Sequence, residues 1–332
     1  MTVISKRTTL LTGIFAGLLL IGGCGRNDTK ANNGTDPVKG NFRVVGYIPR
    51  GVDLSGQTGM PDLGKITHLN IAFMNPDSTG AFPADENISK LTALAHAGGV
   101  SVLLSIGGGN PPGYLKTLLG GSHQAALVQA LAALTDQYSC DGIDVDLEGD
   151  FIDSNYESFV KNLAVALRAK KKLMTAAIAT AYANSYTDAA LARYDFVNVM
   201  SYDKTGPWNP SGPGPHAPYS MAVDDLAYWG GTRGIPRAKI TLGLPFYGYG
   251  FGTNAPESMS YQDIVNKYPA SWNVDQLTVP GGGIVYYNGL ATIQNKTALA
   301  LKNAGGVMIW QLLQDATGER SLLKAINTIL NH

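Results

Sequence analysis

Residues 141–148 read DGIDVDLE, four acidic side chains in eight positions with Gly, Ile, Val and Leu between them. Charged side chains are seldom fully buried. Yet Ile, Val and Leu at alternate positions mark a strand inside a protein. Successive side chains on a strand point to opposite faces. Ile143, Val145 and Leu147 therefore share one face, and Asp144, Asp146 and Glu148 share the other. Residues two apart on a strand are separated by about 6.5–7 Å. Three carboxylates that close in a partly dry site cannot all ionise cheaply. At least one pKa rises, and the three titrate as a coupled set. A carboxyl group with a raised pKa is a general acid near neutral pH. Two other readings stand beside catalysis. Hard divalent cations also take carboxylate oxygens, although they need about six or more, which a regular strand supplies poorly. A structural ion-pair network is the other, and for it the neighbouring apolar runs offer only Arg43, Lys172 and Lys239.

Such a strand needs a frame. From Arg43 onward, short apolar runs alternate with helical patterns. The runs are RVVGYI (43–48), ITHLNIAF (66–73), VSVLLSI (100–106), GIDVDLE (142–148), KLMTAAIA (172–179), FVNVMSY (196–202), KITLGLPF (239–246) and GVMIWQL (306–312). Their Val, Ile, Leu and Ala content suits strands buried on both faces. Apolar side chains at helical spacing predict helices over 86–97, 123–138, 155–169, 221–229, 290–303 and 320–330. The third opens on Asn155 as a cap and spaces Glu157 and Lys161 for an i, i+4 pair. Eight strands alternating with helices predict an α/β fold, a single-domain (β/α)8 TIM barrel. A doubly wound sheet is the alternative, but no GxGxxG follows residue 48. In a barrel the Ile143 face meets the helices and the carboxylates enter the lumen. Glu148 is then nearest the C-terminal mouth, where barrel enzymes place their chemistry. Asp141, at the strand's start, reads as a structural anchor.

Composition narrows the partners. Lys plus Arg and Asp plus Glu each number 25, for a net charge of zero, which removes the electrostatic case for nucleic acid. Glycine is 40 of 332 residues, well above the usual ~7%, so tight turns and close backbone approaches are expected. Lys6 and Arg7 precede an apolar run over 8–21 that is too short for a comfortable membrane span. It ends in Leu20-Ile21-Gly22-Gly23-Cys24, which resembles a bacterial lipobox; an ordinary secretory signal beside a chance Cys is the alternative. The expected division is a signal peptide over 1–23, a flexible tether over 24–41 and the barrel over 42–332. Cys24 would carry lipid and hold the protein to the cell envelope. Gly25 after it, by resemblance to bacterial lipoproteins, favours the outer membrane. Cys140 then has no disulfide partner and reads as a small buried hydrophobe.

DGIDVDLE resembles the DxxDxDxE signature of glycoside hydrolase family 18, the chitinases and their relatives. LLSIGG (103–108), MSYD (200–203) and GGVMIW (305–310) are similar to the family's elements on the third, sixth and eighth strands. ITHLNIAF, KITLGLPFYGYGF and YDKTGPW also resemble family segments, so the likeness runs from about 43 to 330. It implies a retaining hydrolysis without an enzyme nucleophile. The sugar's 2-acetamido carbonyl attacks its own anomeric carbon, and water opens the oxazolinium ion. Glu148 would protonate the leaving oxygen and later deprotonate the water. Asp146 would orient the acetamide N–H, and Asp144 would tune Asp146 and share a proton with it. Tyr202 would donate to the acetamide oxygen, Asp203 and Met200 would line the −1 site, and Trp310 would form its floor. Tyr47 and Phe73, at the ends of the first and second strands, either touch sugar or only pack, and Tyr247 would also bind substrate. Tyr202, Met200 and Trp310 are equally residues that pack a barrel interior. No metal or cofactor is implied. The expected partner is a polysaccharide containing N-acetylglucosamine, and the chain is expected to be a monomer.

Two departures stand out. Many members carry PFYGRGF where this chain has Tyr249 at the Arg position. The segment from Gly252 to Gly283 is too short for a large α+β insertion, which predicts a shallow, open groove. Trp208 and Trp272 fall in loops and are candidate subsites. A chitinase, an endo-β-N-acetylglucosaminidase acting on N-glycan cores, a non-catalytic lectin and a peptidoglycan hydrolase all suit this barrel. Retention of Glu148 argues against the lectin.

Overall fold

The computed structural model describes residues 42–52 and 60–331. Seven strands come first: β1 (Arg43–Pro49), β2 (His68–Ala72), β3 (Ser101–Gly107), β4 (Gly142–Asp146), β5 (Leu173–Ile178), β6 (Phe196–Val199) and β7 (Ile240–Pro245). Four short strands follow, β8 (Tyr247–Phe251), β9 (Ser258–Ser260), β10 (Gln276–Thr278) and β11 (Ile284–Tyr286), and then β12 (Gly306–Trp310). β1 to β7 and β12 close a parallel barrel in the order β1-β12-β7-β6-β5-β4-β3-β2. Each of the eight apolar runs supplies one barrel strand. The acidic run stops pairing at Asp146, which leaves Glu148 just beyond the ladder in extended backbone.

The helices are α1 (Glu86–Ala97), α2 (Leu115–Leu118), α3 (Gln124–Gln137), α4 (Tyr156–Ala169), α5 (Asp188–Leu191), α6 (Tyr219–Leu226), α7 (Tyr261–Lys267), α8 (Leu290–Asn303) and α9 (Leu322–Leu330). All six helical patterns in the sequence form helices. On α4 the buried face is Tyr156, Phe159, Val160, Leu163, Ala164 and Leu167, the i, i+3, i+4, i+7 stripe that packs on a sheet. Its start differs from expectation. Asn155 already has helical backbone angles and makes no cap bond; its amide reaches Asp153 at 3.4 Å. Glu157 and Lys161 form no ion pair among the described residues.

Apolar side chains separate into two clusters. The larger lies between the barrel and the helices and takes in Ile143, Val145 and Leu147, the outward face of β4. The smaller fills the lumen with Val45, Tyr47, Ala72, Phe196, Tyr202, Ala217, Tyr247 and Met308, against which Phe73, Met200, Tyr249 and Trp310 pack. Alternation on one strand thus divides aliphatic from acidic side chains as the sequence pattern requires.

The segment from Gly252 to Gly283 is more than a plain connection. With its flanks it forms a four-stranded antiparallel sheet, order β10-β11-β8-β9, and α7 lies between β9 and β10. The insertion is small, its strands only three to five residues long. The signal segment over 1–23, Cys24 and the tether to residue 41 lie outside the described residues.

Candidate active site

Asp144 sits at the centre of the lumen, fully buried. Register places Ser105 of β3 and Thr175 of β5 beside it. Oδ2 accepts from the Tyr47 hydroxyl and from Ser105 Oγ, each at 2.7 Å. Oδ1 accepts from Thr175 Oγ1 at 2.5 Å and Asn198 Nδ2 at 3.3 Å. Four donors from four strands therefore hold one carboxylate. Burial pushes its pKa up, and the four hydrogen bonds pull it down, burial being the larger effect. With both oxygens accepting twice, Asp144 is spent as a cation ligand. No group of three His, Cys, Asp or Glu side chains among the described residues is placed to hold a metal ion.

Asp146 is 3% exposed, and among the described residues its Oδ1 has no hydrogen-bond partner. Its pKa is held well above the usual carboxylate range by burial, then by the charge of Glu148, then by that of Asp144. Among the described residues no hydrogen bond joins Asp144 to Asp146. Asp144 is occupied by its own donors, and the stronger charge neighbour of Asp146 is Glu148. Glu148 is partly exposed at the mouth, its pKa raised to about 7 by burial first and by the charge of Asp203 second. One acid is thus buried with a free oxygen, and the next is open to solvent and poised near neutrality.

Two glycines let the neighbouring strand end lie this close. Gly107 has φ +103, and a Cβ there would stand 2.0 Å from the Asp146 carbonyl oxygen. Gly108 has φ +93, and a Cβ there would meet the Phe73 ring at 2.5 Å. Its N–H donates to the Asp146 carbonyl at 2.7 Å.

The aromatic residues line the same space. Trp310 stacks on Phe73 at 5.5 Å between ring centroids and 22° between planes. Tyr47 lies tilted against Trp310 at 5.4 Å. Tyr47 itself is 1% exposed, with its hydroxyl given to Asp144. The structure therefore places it behind the carboxylates, whereas Trp310 and Phe73 keep exposed surface. Tyr202 is 7% exposed, and among the described residues its hydroxyl meets only the Met308 sulfur at 3.7 Å, which leaves it available to a stronger acceptor. Met200 packs against this cluster. Asp203 follows in left-handed backbone at φ 63 and accepts from the Tyr247 hydroxyl. Tyr249 contacts Trp208 edge-on at 5.4 Å, and Trp208 is 61% exposed. Trp272 lies in the insertion segment, 37% exposed.

Several residues here escaped sequence reasoning. Ser105 lies within LLSIGG, and nothing in that pattern marks it as a donor to Asp144. Thr175 and Asn198 carried no motif, yet both sit at inward positions, on β5 beside β4 and on β6 one strand further round the barrel. His216 lies in a proline-rich loop, fully buried beside Asp203. The basic residues considered for an ion-pair network point elsewhere: Arg43, Lys172 and Lys239 donate to the carbonyls of Ala238, Cys140 and Tyr194. Asp141 accepts from the Val102 N–H at 2.7 Å and from His96 at 2.8 Å, tying the start of β4 to β3.

Known proteins share this architecture. The sequence model described as "Glycosyl hydrolases family 18" matches residues 43–315. The crystal structure of the GH18 chitinase ChiB from the chitin utilization locus of Flavobacterium johnsoniae is 34% identical with a TM-score of 0.80, covering 87% of this chain and 94% of that one. A chitinase from Bacteroides thetaiotaomicron is 28% identical with a TM-score of 0.74, covering 87% and 96%. Chitinase A1 of Niallia circulans is 25% identical over 83% of this chain and 57% of its own length. The chain thus spans a little over half the length of such curated relatives. On the extent of the family match, the chain belongs to glycoside hydrolase family 18.

Proposed function

We propose that the protein hydrolyses β-1,4-linked N-acetylglucosamine polymers, with retention and with the substrate's own acetamide as nucleophile. One observation carries this reading: Glu148 stands partly exposed at the barrel mouth with its pKa raised to about 7, beside a buried Asp146 whose Oδ1 is unpartnered. Glu148 protonates the leaving glycosidic oxygen. The free oxygen of Asp146 takes the acetamide N–H and steadies the positive charge that develops as the oxazolinium ring closes. Tyr202 gives its hydroxyl to the acetamide oxygen. Asp203 and Met200 line the sugar, and Trp310 offers an aromatic face to its C–H bonds. Water then opens the ring, and Glu148 takes its proton.

The acid must be protonated to act, so kcat/KM is expected to fall as pH rises through about 7. Initial rates on chitin oligomers across the pH range check this. A rate that stays level well into the alkaline range removes Glu148 from the acid role. The reaction itself is tested by product analysis on chitin oligomers beside a high-mannose glycopeptide. Shorter β-anomeric oligomers support the proposal. Cleavage of the glycopeptide alone would make the protein an endo-β-N-acetylglucosaminidase, and binding of oligomers without turnover would make it a lectin.

The proposed setting is the bacterial envelope, with the chain held by lipid on Cys24. The pattern LIGGC supports this, and metabolic labelling with a fatty-acid probe tests it. Label is expected in the native chain and lost in Cys24→Ala; equal labelling of both rules the anchor out.

A further inference from the structure

We propose that His216 is a positioning residue for Asp203, its ring donating on both sides to hold that carboxylate toward Tyr247 and to offset its charge beside Glu148. The inference rests on reading Glu148 as the catalytic acid.

His216 is fully buried. Its Nε2 lies 3.2 Å from the Tyr247 carbonyl oxygen, which can only accept. Its Nδ1 lies 3.4 Å from Asp203 Oδ1. A neutral imidazole has one N–H and serves one of these acceptors; a ring protonated at both nitrogens serves both. Among the described residues the groups facing it include no second acid. Asp203 comes from its own loop. Tyr247 and Tyr249 come from β8, their rings 5.0 and 5.1 Å from the imidazole. From α8, Lys296 Nζ donates to the carbonyl of the next residue, Ala217, at 2.7 Å.

The backbone sets this position without help from the imidazole. The His216 carbonyl accepts from the Lys204 N–H at 2.9 Å, and the Ala217 carbonyl accepts from Asn288 Nδ2 at 2.9 Å as well as from Lys296. The ring is therefore presented to Asp203 by a loop neck fixed elsewhere. Asp203 is also the charge that raises the proton affinity of Glu148. A cation on the far side of Asp203 weakens that field, so His216 acts on the acid through Asp203 and touches no substrate.

The test uses His216→Phe, which keeps a ring between the two tyrosines and removes both N–H groups, and His216→Gln, which keeps one donor. In the Phe variant kcat/KM on chitin oligomers is expected to fall about tenfold or more, the scale of one charge-assisted hydrogen bond. With the cation gone, Asp203 acts on Glu148 unopposed, Glu148 holds its proton to higher pH, and the alkaline limb moves up by about half a pH unit or more. The Gln variant is expected between the Phe variant and the native protein. Activity loss with an unmoved limb would make His216 a packing residue only and overturn the proposal, as would an unchanged rate. Nitrogen-15 spectra of the labelled native protein are expected to show two protonated ring nitrogens at His216; a single N–H overturns it. The spectra need no turnover. A native protein that fails to hydrolyse the oligomers defeats the proposed function and leaves the spectra to decide on His216. They also decide if the Phe variant does not fold.

Discussion

Glu148→Gln is expected to lower kcat on chitin oligomers by about 10²–10⁴-fold, the contribution of a positioned general acid–base group. The amide matches the carboxyl in size and cannot deliver a proton to the leaving oxygen. Binding is expected to stay within a few-fold of native, because Trp310, Tyr202, Asp203 and the free oxygen of Asp146 remain in place. There is a second consequence. The charge of Glu148 is one cause of the raised Asp146 pKa, so the variant lets Asp146 ionise at lower pH. Rates under saturating substrate, with calorimetric titration of an oligomer, separate the two effects. Turnover near the native level would show that the proton comes from another group. Equal loss of rate and affinity would show that Glu148 mainly builds the binding surface.

Asp144→Ala is expected to cost about 3–5 kcal/mol of stability, the range found when one partner of a buried charged network is removed. The reason is the set of donors left behind. The hydroxyls of Tyr47, Ser105 and Thr175 and the amide of Asn198 all point at this carboxylate in a space without solvent access. Asp144→Asn is the informative control. Its oxygen can take the place of Oδ1 and accept from Thr175 and Asn198. Its amide then faces Tyr47 and Ser105, whose hydroxyls can rotate to accept. A loss of about 1–2 kcal/mol is expected for Asn, near the value of one net hydrogen bond. Denaturant midpoints for the two variants measure the difference. Equal, small losses would mean that the four donors find other partners and that Asp144 is not the hub of the lumen.

Much of this site was legible from one strand. Alternation over residues 143–148 assigned aliphatic side chains to the helix-facing core and the acids to the lumen, and the structure follows that division. The barrel was legible because its strands are buried on both faces and read as continuous apolar runs. The insertion sheet was not. Three of its strands have three residues each, too few to show a period. The partners of Asp144 were half legible: Ser105 and Thr175 are its cross-strand neighbours, but pairing register cannot be read from one sequence. Asn155 looked like a cap by type and position, yet its backbone was already helical. His216 was illegible, since PGPHAP reads as loop and only the folded chain brings it to Asp203.

The closed neck of the loop after β6 makes that loop an exchangeable cassette. The Lys204 N–H bonds the His216 carbonyl, Thr205 Oγ1 bonds the Gly214 carbonyl at 2.6 Å, and Ala217 is tied to α8. Residues 206–213, Trp208 among them, therefore hang from a clasp whose two ends already meet. Length and sequence between the ends can drift, or be swapped by a protein engineer, with little strain passed to Asp203 or Tyr202. Such a clasp separates the loop's backbone from that of Asp203 and Tyr202, and leaves the Trp208 ring on Tyr249 as the contact through which a change in the loop reaches the site.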